Sequence, residues 1–149
     1  MMADRGELLS KEADGWAALV GASERVAPEL RTLAGVVPDW SVVDLVFHCG
    51  KYAELTGGRL EAMAAGTHAD VEQPEHEWQA MNDAWAAESK TLTWEQGVAA
   101  AEAGRMKART ALEAMAEVDD AAATWFSDET FEHYAEHTEE IARFAGAAE

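Results

Sequence analysis

Cysteine, proline and positive charge are all scarce in this chain, and each scarcity excludes something. Of 149 residues only Cys49 is a cysteine, so no internal disulfide can form and a disulfide-stapled scaffold is ruled out. Three prolines leave room for long uninterrupted helices. Lysine and arginine number 11 against 29 aspartates and glutamates, a formal charge of −18. Such a surface repels phosphate backbones and lacks a basic stripe, so no nucleic-acid partner is expected. Anionic membrane surfaces are disfavoured for the same reason, and no apolar run approaches the ~18 residues that span a bilayer. Residues 1–7 are polar and carry no signal-peptide core. The expectation is an acidic, soluble, cytoplasmic protein with no membrane partner.

What is abundant is alanine, within a hydrophobic share of 48%. Alanine is the strongest helix former, and a chain of this length can bury its own core as one domain over residues 1–149. The expected fold class is all-α. A first helix over residues 7–26 would bury Leu9, Ala13, Trp16, Leu19, Val20, Ser23 and Val26, spaced at three and four. Pro28 ends it and opens a short piece reaching residue 33. Ser41 and Asp44 form a capping box, with Trp40 and Leu45 placed as a hydrophobic staple. The helix they start is apolar all round over residues 42–50, so it belongs in the middle of the fold, and it extends to about residue 65. Within it, Gly57 and Gly58 either weaken the helix by about 1 kcal/mol each or admit a close neighbour.

Residues 66–73 read as a loop. Pro74 then opens a shorter helix with Trp78, Met81 and Trp85 on one face. A second capping box, Thr93 with Gln96, starts a helix to about residue 118 that presents Trp94, Val98, Ala101, Ala108, Leu112 and Met115. The last helix, from residues 127–128, turns Phe131, Tyr134, Thr138, Ile141 and Ala145 inward. Four long amphipathic helices imply a four-helix bundle, in which Trp16, Val46, Phe47, Leu112 and Ile141 are buried.

The chemistry lies with the histidines. His133 and His137, in His-Tyr-Ala-Glu-His, share a helix face and can chelate one divalent ion. The segment is not His-Glu-x-x-His, which excludes the zinc-protease arrangement with its built-in Glu base. His48 sits two turns into the most apolar helix, where an imidazole needs a partner. Taken singly, His48 reads as a core histidine bonded to a backbone carbonyl, and the pair as a solvated face. Taken together, three histidines from two helices fit a three-imidazole site with open positions, the pattern of a catalytic metal.

The run Trp40-Ser41-Val42-Val43-Asp44-Leu45-Val46-Phe47-His48, joined to the distal His133-Tyr134-Ala135-Glu136-His137, resembles the DinB-like metalloprotein superfamily. That superfamily includes the YfiT-type proteins, the N-terminal domain of mycothiol-dependent maleylpyruvate isomerase, and the colibactin-resistance ClbS/DfsB-type proteins. The segment from Asn82-Asp83-Ala84-Trp85 to Trp94-Glu95-Gln96 looks most like the ClbS/DfsB branch. The isomerase branch has Glu where this chain has His133, and nothing here resembles that enzyme's additional C-terminal domain. The resemblance implies a bundle holding a divalent metal on His48, His133 and His137; three imidazoles suit zinc, nickel, iron or copper, and zinc, nickel or iron is the expected ion. The resemblance also implies thiol-dependent S-transferase or detoxifying hydrolase chemistry, with a low-molecular-weight thiol cosubstrate in the first case.

Two other readings stand beside this one: a non-catalytic metal- or small-molecule-binding stress-response protein, and an acidic helical interaction module without metal. The expected partner is a small-molecule substrate, and a homodimer is an admissible assembly. Asp44, one turn before His48, either orients that ring from behind or only completes the capping box. Tyr52 and Tyr134 either line a pocket or pack. Cys49 points about 100° away from His48 and is not a ligand. His68 and His76 are expected in solvent, most tryptophans in the core, and Trp78 and Trp85 over a cavity. The acidic runs Glu117, Asp119, Asp120 and Glu136, Glu139, Glu140 read as solvated faces.

Overall fold

Side-chain caps set most helix starts. Asp4 accepts a hydrogen bond from the Glu7 N–H at 3.0 Å and opens α1 (Arg5–Glu24). In the computed structural model, which describes residues 3–68 and 75–148, a 3₁₀ turn (Pro28–Leu30) follows. Then come α2 (Val42–Ala65), α3 (Glu75–Ser89), α4 (Trp94–Ala114), α5 (Asp120–Glu129) and α6 (Phe131–Ala148). The fold is all-helical: the described residues contain no strand, only an isolated bridge between Val37 and Trp40. Both expected capping boxes form. Ser41 accepts from the Asp44 N–H at 3.1 Å while Asp44 accepts from the Ser41 N–H at 2.8 Å. Thr93 and Gln96 do the same for α4 at 3.1 and 2.9 Å.

The helices associate mainly as two pairs, α2 along α4 and α1 along α6, with α3 against α2 and α5 between α2 and α6. Every residue from Ser41 to Gly50 is buried, as expected of the central helix. Small residues let α2 and α4 approach closely. A Cβ on Gly50 would lie 2.3 Å from the Ala101 Cα, and one on Gly104 would lie 2.2 Å from the Gly50 carbonyl oxygen. Gly57 is another such point, its notional Cβ 2.8 Å from Lys107 Cγ, whereas Gly58 has nothing within 4 Å. Trp16, Val46, Phe47, Leu112 and Ile141 are all buried.

Several expectations need correction. α1 ends at Glu24, not at residue 26, because Pro28 holds Ala27 extended and Arg31 turns back to donate to the Ser23, Glu24 and Val26 carbonyls. The piece begun by Pro28 stops at Leu30, short of residue 33. On α1 the buried stripe contains Glu12, not Ala13. α4 stops at Ala114, short of residue 118, because Met115 is extended, and Asp119, exposed as expected, also caps an unexpected helix, α5, by accepting from the Ala122 N–H at 2.9 Å. The break between α5 and α6 falls at Thr130, whose φ of −116° and ψ of −99° are not helical. Of the six tryptophans only Trp16 is buried; the others are half-buried. Pro74 and most of the expected 66–73 loop lie outside the described residues.

Two apolar clusters divide the interior. One gathers Trp16, Leu19, Leu45, Val46, Tyr134 and Ile141; the other gathers Leu8, Leu60, Leu112, Val118 and Phe126. Between Leu8 and Trp16 on α1 sits Glu12, fully buried. Its carboxylate accepts from Arg105 Nε at 2.8 Å and Nη2 at 2.6 Å, from Arg109 Nη1 at 2.8 Å and from the Tyr134 hydroxyl at 3.0 Å. That set of partners is what makes a buried carboxylate tolerable. It also ties α1 to both α4 and α6.

Candidate metal centre

The capping box at Ser41 fixes the start of α2 and therefore the azimuth of His48, seven residues on. The break at Thr130 does the same for α6, whose first turn carries His133 and whose second carries His137. The two helices point these imidazoles at one place. His48 Nε2 lies 3.1 Å from His133 Nε2, and His137 Nε2 lies 3.0 Å from the same atom. The ligand atoms of the three residues all fall within 4.8 Å of one another.

The donors suit a divalent ion. Two nitrogens bound to one ion at ~2.0–2.2 Å sit ~3–3.6 Å apart at the usual angles, which the two short spacings match. Protons alone explain the cluster poorly. His137 Nδ1 is directed at the Glu140 carboxylate; with Nδ1 as the donor in that contact, the coordinating form of the ring has its lone pair on Nε2. His133 Nε2 has one proton at most to share between two neighbours. A cation is the partner that all three lone pairs can hold together.

Electrostatics keeps two of the donors, His48 and His133, unprotonated. Burial, and secondarily the neighbouring His133 and His137, pushes His48 down to about 2. Burial, and then His137, pushes His133 down to about 3. Neutral imidazole is the form that coordinates a metal. The ring of Trp40 stands edge-on to His48 at 5.1 Å, that of Tyr52 at 4.8 Å and that of Trp85 at 6.5 Å. His48 Nδ1 and His133 Nδ1 are buried without a hydrogen-bond partner among the described residues, so the expected backbone carbonyl partner of His48 is not found.

Compared with known proteins, no family model, curated protein or solved structure matches the chain.

The histidines floor an open cleft of about 530 Å³ whose wall is acidic: Asp128 and Glu129 from α5, Glu132 and Glu136 from α6. Glu129 is raised above the ordinary carboxylate range by burial, with Asp128 adding to the rise and Arg59 opposing it. Glu132 is raised chiefly by its hydrogen bond with Asp128. Tyr52 closes the far side, its hydroxyl donating to Asn82 Oδ1 at 2.9 Å. Tyr52 is thus a lining residue, whereas Tyr134 packs against Trp16 and bonds Glu12.

Other candidates lie elsewhere. Asp44 is not behind His48. Its oxygens are taken by the Ser41 N–H, by Ser89 Oγ at 2.5 Å and by Lys90 Nζ at 3.0 Å. Burial would raise Asp44, but these donors outweigh it and hold the group below its usual value. The carboxylate that does orient a histidine is Glu140, in a run read as solvated; its place three residues after His137 was the available signal. Cys49 is buried, its thiol raised by burial, and plays no part in the cluster. His76 is exposed, but His68 is half-buried against Trp125 and lines a different cavity. Trp78 stacks on Tyr52 at 5.7 Å and Trp85 meets it edge-on at 5.1 Å; the α3 aromatics thus pack behind Tyr52, and Trp85 lines the other cavity, not the histidine cleft. No described helix is long and apolar enough to cross a membrane.

Proposed function

We propose that the chain is a metal-dependent enzyme, a four-helix bundle of DinB-like type in which His48, His133 and His137 hold one divalent ion above a small-molecule cleft. The meeting of three imidazole nitrogens from two helices carries this reading. A divalent ion held there supplies Lewis-acid activation of a water or a thiolate. Glu140 fixes the tautomer of His137, and burial keeps His48 and His133 in their coordinating form. Glu129 lines the same cleft with its proton affinity raised by burial, the direction that makes a carboxylate a better proton acceptor. Four carboxylates on the wall oppose the approach of a thiolate and leave water unaffected. Hydrolysis is therefore the favoured chemistry, and S-transfer with a small thiol cosubstrate is the second reading. The lone buried cysteine is in keeping with a cytoplasmic setting.

The test combines elemental analysis with a generic hydrolysis assay. Wild type should carry about one equivalent of zinc, nickel or iron, and His48→Ala, His133→Ala and His137→Ala should each lose it. Glu129→Gln should keep the metal while losing most hydrolysis of p-nitrophenyl acetate. Metal retained by all three histidine variants would overturn the site. A metal-loaded protein inert toward esters and thiols would instead support a binding role.

A further inference from the structure

Positive charge is scarce in this molecule, yet three of its basic side chains converge on one cavity outside the acidic cleft. The cavity holds about 410 Å³, within the range of small-molecule pockets, and Lys51, Arg59 and Lys107 line it with Glu54 as the single carboxylate among the described residues. Lys51 approaches Glu54 at 3.7 Å; Arg59 and Lys107 form no ion pair among the described residues. The Arg59 guanidinium is fixed in place, 4.1 Å from the Trp125 ring centroid and 5.3 Å from that of Trp78. Its Nη1 is nonetheless buried with no hydrogen-bond partner among the described residues. That atom is closed to solvent and does not face the cavity; what the cavity meets is three basic side chains, one of them an arginine held against two aromatic faces, which in a chain of net charge −18 has the form of an anion site.

The cavity adjoins the histidines. Trp85 lines it and also stands edge-on to His48 and Tyr52, both of which line the acidic cleft. Glu129, on the cleft wall, is the carboxylate that acts on Arg59 from the other side. One side of the Tyr52–Trp85 partition is therefore basic and the other acidic.

We infer that the cavity around Lys51, Arg59 and Lys107 is an oxyanion subsite, which anchors the carboxylate or phosphate of a small molecule whose other end enters the three-histidine cleft. This rests on the reading above for the reactive end, while the anchoring end stands on its own geometry. The acidic cleft rejects an anionic group, so such a ligand can lie in only one orientation.

The probes are inorganic phosphate and, separately, acetate, titrated at constant ionic strength and followed by tryptophan fluorescence and by amide shifts on α2 and α4. Saturation by either is expected, and which one saturates tells phosphate from carboxylate. Arg59→Gln and Lys107→Gln should each weaken binding at least tenfold; Lys107 is exposed, so its variant tests the site even where Arg59→Gln folds poorly. Arg143→Gln, an exposed charge on α6, should change nothing. His133→Ala should bind within about twofold of wild type, which keeps this subsite testable even if the metal reading fails. Titrations that never saturate, an unchanged Lys107→Gln, or binding lost in His133→Ala would overturn the assignment; the last would put the oxyanion on the metal.

Discussion

The same substitution at two glycines should have opposite effects. A Cβ added at Gly104 would stand 2.2 Å from the Gly50 carbonyl oxygen, where ordinary contact begins at 3.4 Å. The obstacle is backbone and cannot rotate aside, so α2 and α4 must part by about 1 Å along their glycine-lined contact. Overpacking costs about 1–3 kcal/mol, and an immovable partner puts Gly104→Ala at the upper end. Alanine's better helix propensity returns only about 0.5–1 kcal/mol. The net loss is then ~2 kcal/mol, which at a urea slope of about 1–3 kcal/mol/M lowers the midpoint by roughly 1 M. At Gly58 nothing lies within 4 Å, so Gly58→Ala collects the propensity gain alone and should raise the midpoint by a few tenths of molar. Urea denaturation followed by circular dichroism measures both. Shifts of the same sign in the two variants would refute the packing argument.

Glu12→Ala should cost about 3–5 kcal/mol, because Arg105 Nε and Nη2 and the Tyr134 hydroxyl lose their buried acceptor while Glu102 still holds Arg105 Nη1; a loss below ~1 kcal/mol in the same assay would show that water reaches the guanidinium. Glu140→Gln should weaken divalent-metal affinity by about 10–100-fold without unfolding the chain, read by competition with a chelating dye. Stability of chelator-treated protein should fall as pH drops. His48 and His133 titrate at about 2 and 3 when folded but near ~6.5 when unfolded, so below ~6.5 the unfolded chain takes up protons first. Their contribution is complete above ~6.5 and is lost progressively toward 3, amounting at pH 5 to about 2 kcal/mol for each ring. Urea midpoints at pH 7.5 and 5 should show this, and His133→Leu should flatten the slope.

Features set by near neighbours in the chain were the ones legible in advance. Ser41 with Asp44 and Thr93 with Gln96 are contacts between residues three apart, so the starts of α2 and α4 could be read directly. The histidine pair on α6 is likewise local, and His48 was marked by its apolar surroundings. Glu12 could not be placed inward, because its partners lie 93, 97 and 122 residues away and a carboxylate breaks an apolar pattern. α5 is not legible because the stretch between residue 118 and residues 127–128 holds only a short alanine run with no apolar period; its start rests on Asp119 acting as a cap, a residue that reads equally as a solvated acid. That helix also sends Glu129 into the cleft, so the acidic wall was hidden along with it.

The histidine cluster is a seam. His48 belongs to the α2–α4 pair and His133 and His137 to the α1–α6 pair, and direct packing between α2 and α6 is slight beside the packing within each pair. Glu12 is a rivet across the same seam, since it sits on α1 and grips Arg105 and Arg109 of α4. A cation drawn in by all three imidazoles would fasten the halves at a second point, so fastening and rivet must reinforce each other by thermodynamic reciprocity. Whatever loosens the rivet should surface at the far end of the seam as a change in affinity for the ion.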